Sequence, residues 1–176
     1  LLERDPNSVC ELIDGTLVEK EVGTPESVMS GYIQAHLTLF ADENDLGVVC
    51  GEGGPVRMLV GNIRIPDVSF FSWESLIDDK FPEDKICPVV PKLAVEVLSE
   101  SNTLWEIERK RLELFRSGTK LIWIIDPVSK TAEIYTSPTR CKVIEVNGVL
   151  DGGKVVPGFK LPLADVFNSL RRKRKG

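Results

Sequence analysis

Histidine and cysteine, the usual ligands of zinc, are scarce in this sequence. It has one histidine, and its four cysteines (Cys10, Cys50, Cys87 and Cys141) stand singly, without a Cys-x-x-Cys pair. A structural zinc site takes four Cys or His ligands in short sequence clusters, so this pattern excludes a zinc finger. Isolated cysteines are typical of reduced, buried thiols in a cytosolic protein.

Long apolar runs are missing as well. No stretch of the 176 residues is apolar enough to span a bilayer, and no signal-peptide pattern is found, so we expect a cytoplasmic protein without membrane contact. The glycine-rich stretch 51–55 lacks the Gly-Lys-Ser/Thr ending of a phosphate-binding loop. Neither His36 nor Asp126 accompanies a nucleophile with an adjacent base, which disfavours a small-molecule hydrolase.

Positive charge is in deficit. The sequence has 22 basic and 27 acidic residues, and five of the basic residues lie in the terminal segment 171–176. Phosphate contacts come from Lys and Arg, so the acidic body of the chain binds nucleic acid poorly unless a metal ion changes the local balance. The basic tail at 171–176 either contacts DNA or is a solvated terminus.

The apolar pattern predicts one α/β domain of mixed α+β type. With 42% hydrophobic residues the chain can bury a full core, which we place in a single domain at residues 1–170. The dipeptide Asp14-Gly15 predicts an N-terminal β-hairpin over residues 10–18. Two strand-like segments, 132–135 and 142–146, predict a second hairpin near the C-terminus.

Two helices are indicated between the predicted hairpins. Thr24 is the expected N-cap of the first, and His36 falls in the middle of its apolar face, which favours a packed core histidine. Residues 101–103 cap the second helix and Gly118 ends it. This helix separates two apolar strands, and the strand-helix-strand order predicts that they pair in parallel.

Glu96 is the first site candidate, because within the strand-like stretch 92–99 it lies in a six-residue run that is otherwise apolar. Burying a carboxylate costs several kcal/mol unless the group is paired or binds a metal. Asp67 leads into a second apolar strand, and two acids on neighbouring strands could share a divalent cation. Glu11 on the first hairpin could face this acidic centre or solvent, and we favour solvent.

Lys110 is the candidate cation for this centre. At 100° per residue it lies on the flank of the second helix's apolar face, so its ammonium could reach the sheet. The alternative is an ordinary surface pair between Glu106 and Lys110, which stabilises a helix by only about 0.3 kcal/mol.

Six stretches of the sequence together resemble a known bacterial family called Uma-two. The stretches are Glu11-Leu-Ile-Asp-Gly15, Ile65-Pro-Asp-Val-Ser-Phe70, Leu93-Ala-Val-Glu-Val-Leu-Ser99, Lys110 eight residues before Gly118, Trp123-Ile-Ile-Asp-Pro127 and Pro157-Gly-Phe159. The resemblance covers nearly the whole chain. It implies a restriction endonuclease of the PD-(D/E)XK superfamily, with a mixed β-sheet flanked by helices and a site for Mg²⁺ or Mn²⁺.

The resemblance also implies roles for particular residues. Asp67 matches the Asp of the Pro-Asp motif and Glu96 the acid of the second motif, and both would bind the metal with the backbone carbonyl of Val97. The superfamily lysine belongs two residues after the second acid, where this chain has Leu98, and the family takes it from the next helix, at Lys110. Glu11 matches an N-terminal acid and becomes a candidate outer ligand.

The chain departs from the family pattern at three places. Lys92 stands where the family has Asp, residues 99–102 replace a Ser-Pro-Ser-Asp run, and the family's His near the start of the first helix is absent. These departures bear on activity more than on fold. Lys92 lies on the same predicted strand face as Glu96 and is an alternative source of the lysine.

The expected function is therefore metal-dependent hydrolysis of DNA phosphodiester bonds. Duplex cleavage needs two sites facing opposite strands, and two-fold dimers are the commonest oligomers, so a homodimer is expected. The alternative is a nuclease-fold interaction or DNA-binding domain without turnover, whose acids are held in structural ion pairs.

Overall fold

The computed structural model describes residues 9–21, 23–59 and 61–171, so the predicted basic tail lies outside it except for Arg171. Within these residues, strands and helices follow in the order β1 (Cys10–Ile13), β2 (Thr16–Glu19), α1 (Thr24–Glu43), β3 (Gly47–Cys50), β4 (Val56–Arg57), β5 (Ile63–Arg64), β6 (Val68–Ser72), β7 (Leu93–Val97), α2 (Leu104–Ser117), β8 (Leu121–Asp126), β9 (Thr131–Ser137), β10 (Arg140–Glu145), β11 (Val149–Asp151), β12 (Lys160–Pro162) and α3 (Leu163–Asn168). Across these residues, no helix is long and apolar enough to cross a membrane.

The main sheet has six strands in the order β10-β9-β8-β7-β6-β3. Strands β7 and β8 are parallel and are joined by α2, as the strand-helix-strand order predicts, while the other neighbours are antiparallel. The mixed α/β architecture is therefore confirmed. A smaller sheet has the order β2-β1-β5-β4, and β11 pairs with β12 in a two-stranded ladder that the sequence did not predict.

Both predicted hairpins are present. Strands β1 and β2 pair across Asp14 and Gly15, and both of these residues have positive φ (49° and 78°). A type I′ turn requires positive φ at both central positions, which is why Asp-Gly is favoured there. Strands β9 and β10 form the C-terminal hairpin, which is longer than the predicted one.

The main sheet buries apolar side chains on both faces. Leu93, Val95 and Val97 of β7 face a cluster that includes the buried side of α1, whereas Ala94 faces a cluster that includes Leu114 of α2. This alternation follows from the two-residue period of a strand. Position 96 of β7 therefore lies on the face that α2 covers.

Two details of the first helix differ from the sequence prediction. Gly23 is the N-cap, and Thr24 is already helical, so the predicted cap was one residue late. His36 is only half-buried, with its Nδ1 atom 2.9 Å from the Tyr32 carbonyl oxygen and its ring against that of Tyr32. The prediction of a core histidine was wrong because Ile33 and Leu37 fill the inward face and leave His36 at its margin.

Candidate active site

Asp67 lies between the two sheets, directly before β6. Its backbone N–H donates to the Val95 carbonyl (3.1 Å), and its Oδ2 atom accepts from the Val97 N–H (2.6 Å). Val95 and Val97, the residues on either side of Glu96, thus hold the backbone and the side chain of Asp67. A carboxylate fixed in this way points in one direction, and its side chain is only 8% exposed.

Glu96 faces α2 and meets Lys110. The Nζ atom lies 2.8 Å from both carboxylate oxygens, and the contact with Oε2 is a hydrogen bond. Oε1 is buried and accepts no hydrogen bond from any described residue. The surface pair of Lys110 with Glu106 does not form, because the Glu106 carboxylate closes a capping box with Thr103 at the start of α2.

Burial and charge act in opposite directions on this pair. Burial raises the pKa of Glu96 to about 7, with Lys110 opposing the rise and the charge of Asp67 adding to it. Burial works to lower the pKa of Lys110, but the charges of Glu96, Glu11 and Asp67 raise it above that of an ordinary lysine. Lys110 is therefore a permanent cation at neutral pH.

Glu11 is buried, so the prediction that it faces solvent was wrong. Its Oε1 atom accepts from the Ile65 N–H (2.8 Å) and lies 3.0 Å from Lys110 Nζ, while its Oε2 atom accepts from Arg64 (2.8 Å). Burial works to raise the pKa of Glu11, yet the charge of Lys110 and the hydrogen bonds from Ile65 and Arg64 lower it to about 2. Glu11 is thus a second carboxylate, besides Glu96, in contact with the Lys110 ammonium.

Three charged residues of this region were missed in the sequence. Lys20, directly after β2, donates to the Asp67 Oδ1 atom (2.6 Å) and to the Ile65 carbonyl (2.8 Å). Arg64 bridges Glu11 and Glu113. Arg64 stands between two isoleucines before Pro66, the same signal of a charge within an apolar run that singled out Glu96. Glu113, in the middle of α2, gave no comparable signal.

Three other candidates lie elsewhere. Lys92 precedes β7 at the end opposite Glu96, where its backbone bonds to Phe70, Lys120 and Leu121. It does not line the cleft that contains Asp67 and Glu96. Asp126 accepts from the N–H of Val128 and Ser129 in the turn after β8. His36 does not line the cleft either.

The cleft itself has a volume of about 360 Å³ and contains the residues that the resemblance selected. They are Glu11, Asp67, Glu96, Val97 and Lys110, with Lys20 among the other lining residues. Across the described chain, no three His, Cys, Asp or Glu side chains form a metal-binding group. Mg²⁺ needs fewer protein ligands, because it keeps several waters and binds one or two carboxylates together with substrate phosphates.

The donor chemistry of the cleft fits such an ion. Asp67 and Glu96 supply hard carboxylate oxygens, and the buried Oε1 atom of Glu96 lacks a hydrogen bond. That atom lies 2.8 Å from Lys110 Nζ, so a divalent cation bound there would share it with the ammonium. The absence of nearby Cys and His in the cleft lining fits Mg²⁺ or Mn²⁺ better than zinc.

Comparison with known proteins identifies relatives of the chain. The family model Uma2, described as "Putative restriction endonuclease", matches residues 1–164. A crystal structure of "a putative nuclease belonging to DUF820 from Anabaena variabilis ATCC 29413" has a TM-score of 0.81 at 19% identity, covering 92% of this chain and 91% of that one. This likeness shows a common fold.

A second solved structure is more distant. The "DrdV-DNA complex" has a TM-score of 0.43 at 16% identity, covering 78% of this chain and 11% of that chain. Comparison with curated proteins gives no match.

Proposed function

Since the chain belongs to the Uma2 family of restriction-endonuclease-like proteins, we propose that it is a divalent-metal-dependent endonuclease that hydrolyses DNA phosphodiester bonds. The observation that carries this proposal is the meeting of Asp67, Glu96 and Lys110 in one cleft. Asp67 directly before β6, Glu96 in β7 and Lys110 in α2 meet there, although Asp67 and Lys110 are 43 positions apart in the sequence. Such a set combines metal ligands with a cation that can stabilise negative charge.

Asp67, Glu96 and the backbone carbonyl of Val97 are the proposed ligands of Mg²⁺ or Mn²⁺. The bound ion would polarise the phosphate and lower the pKa of a water molecule. The chain's own contribution is to hold the carboxylates in fixed positions, which Asp67 achieves through its bonds to the Val95 carbonyl and the Val97 N–H. Preorganised ligands need no rearrangement as the reaction proceeds.

Lys110 acts as a donor and a positive charge. Its pKa is raised by Glu96, Glu11 and Asp67 against the effect of burial, so it does not serve as a general base at neutral pH. Its ammonium can instead orient the attacking water or stabilise charge that develops on the phosphate. Glu11 is proposed as an outer residue that fixes Lys110 at 3.0 Å.

DNA is the proposed substrate and a homodimer the proposed assembly. The described body of the chain is acidic, so a metal in the cleft would provide the local positive charge that a phosphate backbone needs. Two copies related by a two-fold axis would present two clefts to opposite strands.

The proposal is tested by incubating plasmid DNA with the wild-type protein and Mg²⁺ or Mn²⁺. Nicked or linear product should form with either metal and disappear with EDTA. Asp67→Ala and Glu96→Ala should abolish cleavage and strongly weaken Mn²⁺ binding by calorimetry, because each variant leaves one of the two carboxylates and calorimetry without DNA supplies no substrate phosphate. Wild-type metal affinity in both variants would remove these residues from the site.

A second candidate function is a nuclease-fold interaction domain without turnover. It is favoured by the ion pairs that already satisfy the acids, namely Asp67 with Lys20, Glu96 with Lys110 and Glu11 with Arg64. In that case the same alanine variants should lose stability without any effect of metal. The absence of cleavage by wild type with every divalent metal tested would favour this second function.

A further inference from the structure

Lys20 occupies a distinctive place in the cleft. Its Nζ atom lies 2.6 Å from Asp67 Oδ1 and donates to the Ile65 carbonyl at 2.8 Å, and Lys110 donates to the same carbonyl at 3.1 Å. Two ammonium groups therefore converge on one oxygen. The side chains of Lys20 and Asp67 are 11% and 8% exposed, so their attraction is little screened by solvent.

The contact concerns the oxygen of Asp67 that receives no backbone hydrogen bond. Oδ2 accepts a hydrogen bond from the Val97 N–H at 2.6 Å, just beyond the Val68–Val95 pair that ends the β6–β7 ladder. Oδ1 carries no such backbone bond, and it is the atom that Lys20 holds. A cation that binds Asp67 through Oδ1 must therefore compete with the Lys20 ammonium.

We propose that Lys20 is the counterion of Asp67 in the metal-free protein, and that its ammonium moves away from Asp67 when the metal binds. This inference rests on the proposed function, because it takes Asp67 as a ligand of the metal. In this proposal Lys20 is not a catalytic residue, and its role is not limited to stabilising the fold. The Lys20 ammonium competes with the metal for Asp67, so the metal affinity of the wild-type protein is lower than its carboxylates would otherwise give.

The local charges support a displacement. Asp67, Glu96 and Glu11 each already contact a cation, so a divalent ion beside these three carboxylates would add two positive charges in excess of the existing pairs. Removing one ammonium relieves part of that excess. The same electrostatic reasoning explains why a cation beside a carboxylate lowers its affinity for a proton by about ten- to a thousandfold.

The geometry permits the side chain to leave without unfolding the hairpin. The backbone N–H of Lys20 donates to the Val9 carbonyl at 2.8 Å, which fixes the backbone, whereas the four-carbon side chain is flexible. Glu19, Glu21 and Glu26 also line the cleft and offer the displaced ammonium carboxylates at its rim.

Mn²⁺ binding to Lys20→Met tests the proposal by calorimetry. Methionine has a similar length and no charge, so the variant should bind Mn²⁺ about tenfold more tightly or better, since the competing charge is gone. In EDTA it should melt below wild type, and saturating Mn²⁺ should raise its melting temperature by more than it raises that of wild type. Lys20→Gln, which keeps a hydrogen-bond donor, should show the same gain in affinity and decides the test if Lys20→Met does not fold.

Lys80→Met is the matched control. Lys80 lies 2.6 Å from Glu83, the same separation as in the Lys20 pair, but both side chains are largely exposed. Its removal should leave Mn²⁺ affinity unchanged.

The outcomes separate this inference from the proposed function. Equal or weaker Mn²⁺ binding by the Lys20 variants, with wild type still binding through Asp67 and Glu96, overturns the competition alone. No binding by wild type or by any Lys20 variant overturns both the competition and the proposed metal site. Tighter Mn²⁺ binding by Lys80→Met as well would also overturn the competition, because the gain in affinity would then come from the change in overall charge.

Discussion

Lys110 joins Glu96 and Glu11 through one ammonium group, at 2.8 Å from the first carboxylate and 3.0 Å from the second. This contact ends a chain of alternating charges that begins at the exposed hairpin turn. Its members are Asp14, Arg109, Glu113, Arg64, Glu11, Lys110 and Glu96. These ion pairs connect the N-terminal hairpin and β5 to α2, so the geometry of the cleft depends on how these elements pack.

Lys110→Ala is expected to separate catalysis from metal binding. Asp67 and Glu96 remain, so Mn²⁺ affinity should be retained or increased. DNA cleavage should fall by about a hundredfold or more, as it does when one transition-state stabiliser is removed. Calorimetry and single-turnover cleavage measure the two effects.

Two further variants control that experiment. Lys110→Arg should not restore the rate, because a planar guanidinium cannot place a point charge at the same spot. Lys92→Ala should cleave like wild type, since Lys92 lies at the far end of β7. A large loss in Lys92→Ala together with a normal rate in Lys110→Ala would transfer the lysine role to Lys92.

Glu96 predicts a pH dependence of stability in the absence of metal. Burial raises its pKa from an ordinary value of 4.5 to about 7, so the folded state binds a proton more tightly than the unfolded state. The resulting stabilisation is complete below about pH 4.5 and is lost as the pH rises through about 7. Its size is on the order of 3 kcal/mol, because the pKa rises from 4.5 to about 7 and each pKa unit corresponds to about 1.4 kcal/mol.

Glu96→Gln isolates this contribution. The variant cannot titrate at this position, so the difference in unfolding free energy between wild type and variant should change between about pH 4.5 and 7. Urea unfolding in EDTA at several pH values gives that difference. A constant difference across the range would show that Glu96 titrates normally.

Much of the fold could be predicted from the sequence because local chemistry and the final packing agree. Asp14-Gly15 forms its hairpin turn, and Thr103 caps α2 while Gly118, with φ of 121°, ends it. The apolar strands that contain Glu96 and Trp123 pair in parallel around α2. The turn and the helix ends depend on a few neighbouring residues, and the parallel pairing follows from the strand-helix-strand order.

The partners of the acids could not be predicted in the same way. The contact of Glu11 with Arg64 spans 53 residues and depends on the pairing of β1 with β5 in the small sheet. The contact of Lys20 with Asp67 spans 47 residues and depends on how the small sheet meets the main one. Glu11 alternates with its neighbours like a residue facing solvent, and only the position of β5 shows that it is buried. The two-stranded ladder of β11 and β12 was missed because each strand has only three residues.

The proposed homodimer gives a prediction for solution. If two clefts act on opposite strands, light scattering at micromolar concentration should give twice the mass of the 19.6 kDa chain. A monomer at all concentrations, together with double-strand cleavage in a single encounter, would require a different way of reaching the second strand.

Arg64 should be essential for stability although it does not contact the proposed metal ligands. Its Nε and Nη1 atoms lie 2.7 Å from Glu113 and 2.8 Å from Glu11, and its side chain is only 4% exposed. Arg64→Met leaves two buried carboxylates with fewer partners, and breaking a buried pair costs about 3–5 kcal/mol. We expect about 3 kcal/mol, since Glu11 keeps Lys110 and Glu113 keeps Arg109.

Acid unfolding identifies the origin of that loss. Lys110 and Arg64 outweigh the effect of burial and lower the pKa of Glu11 to about 2. The ionised form of Glu11 therefore stabilises the fold above about pH 4.5, and this contribution is lost as the pH falls towards 2. Arg64→Met should weaken that acid dependence, whereas Lys80→Met, which removes an exposed pair, should change stability by less than about 1 kcal/mol. Urea unfolding of the three proteins between about pH 3 and 7 measures both effects. If Arg64→Met matched Lys80→Met at neutral pH, the charge chain would contribute little to stability and Lys110 would be held by Glu96 and Glu11 without support from Arg64.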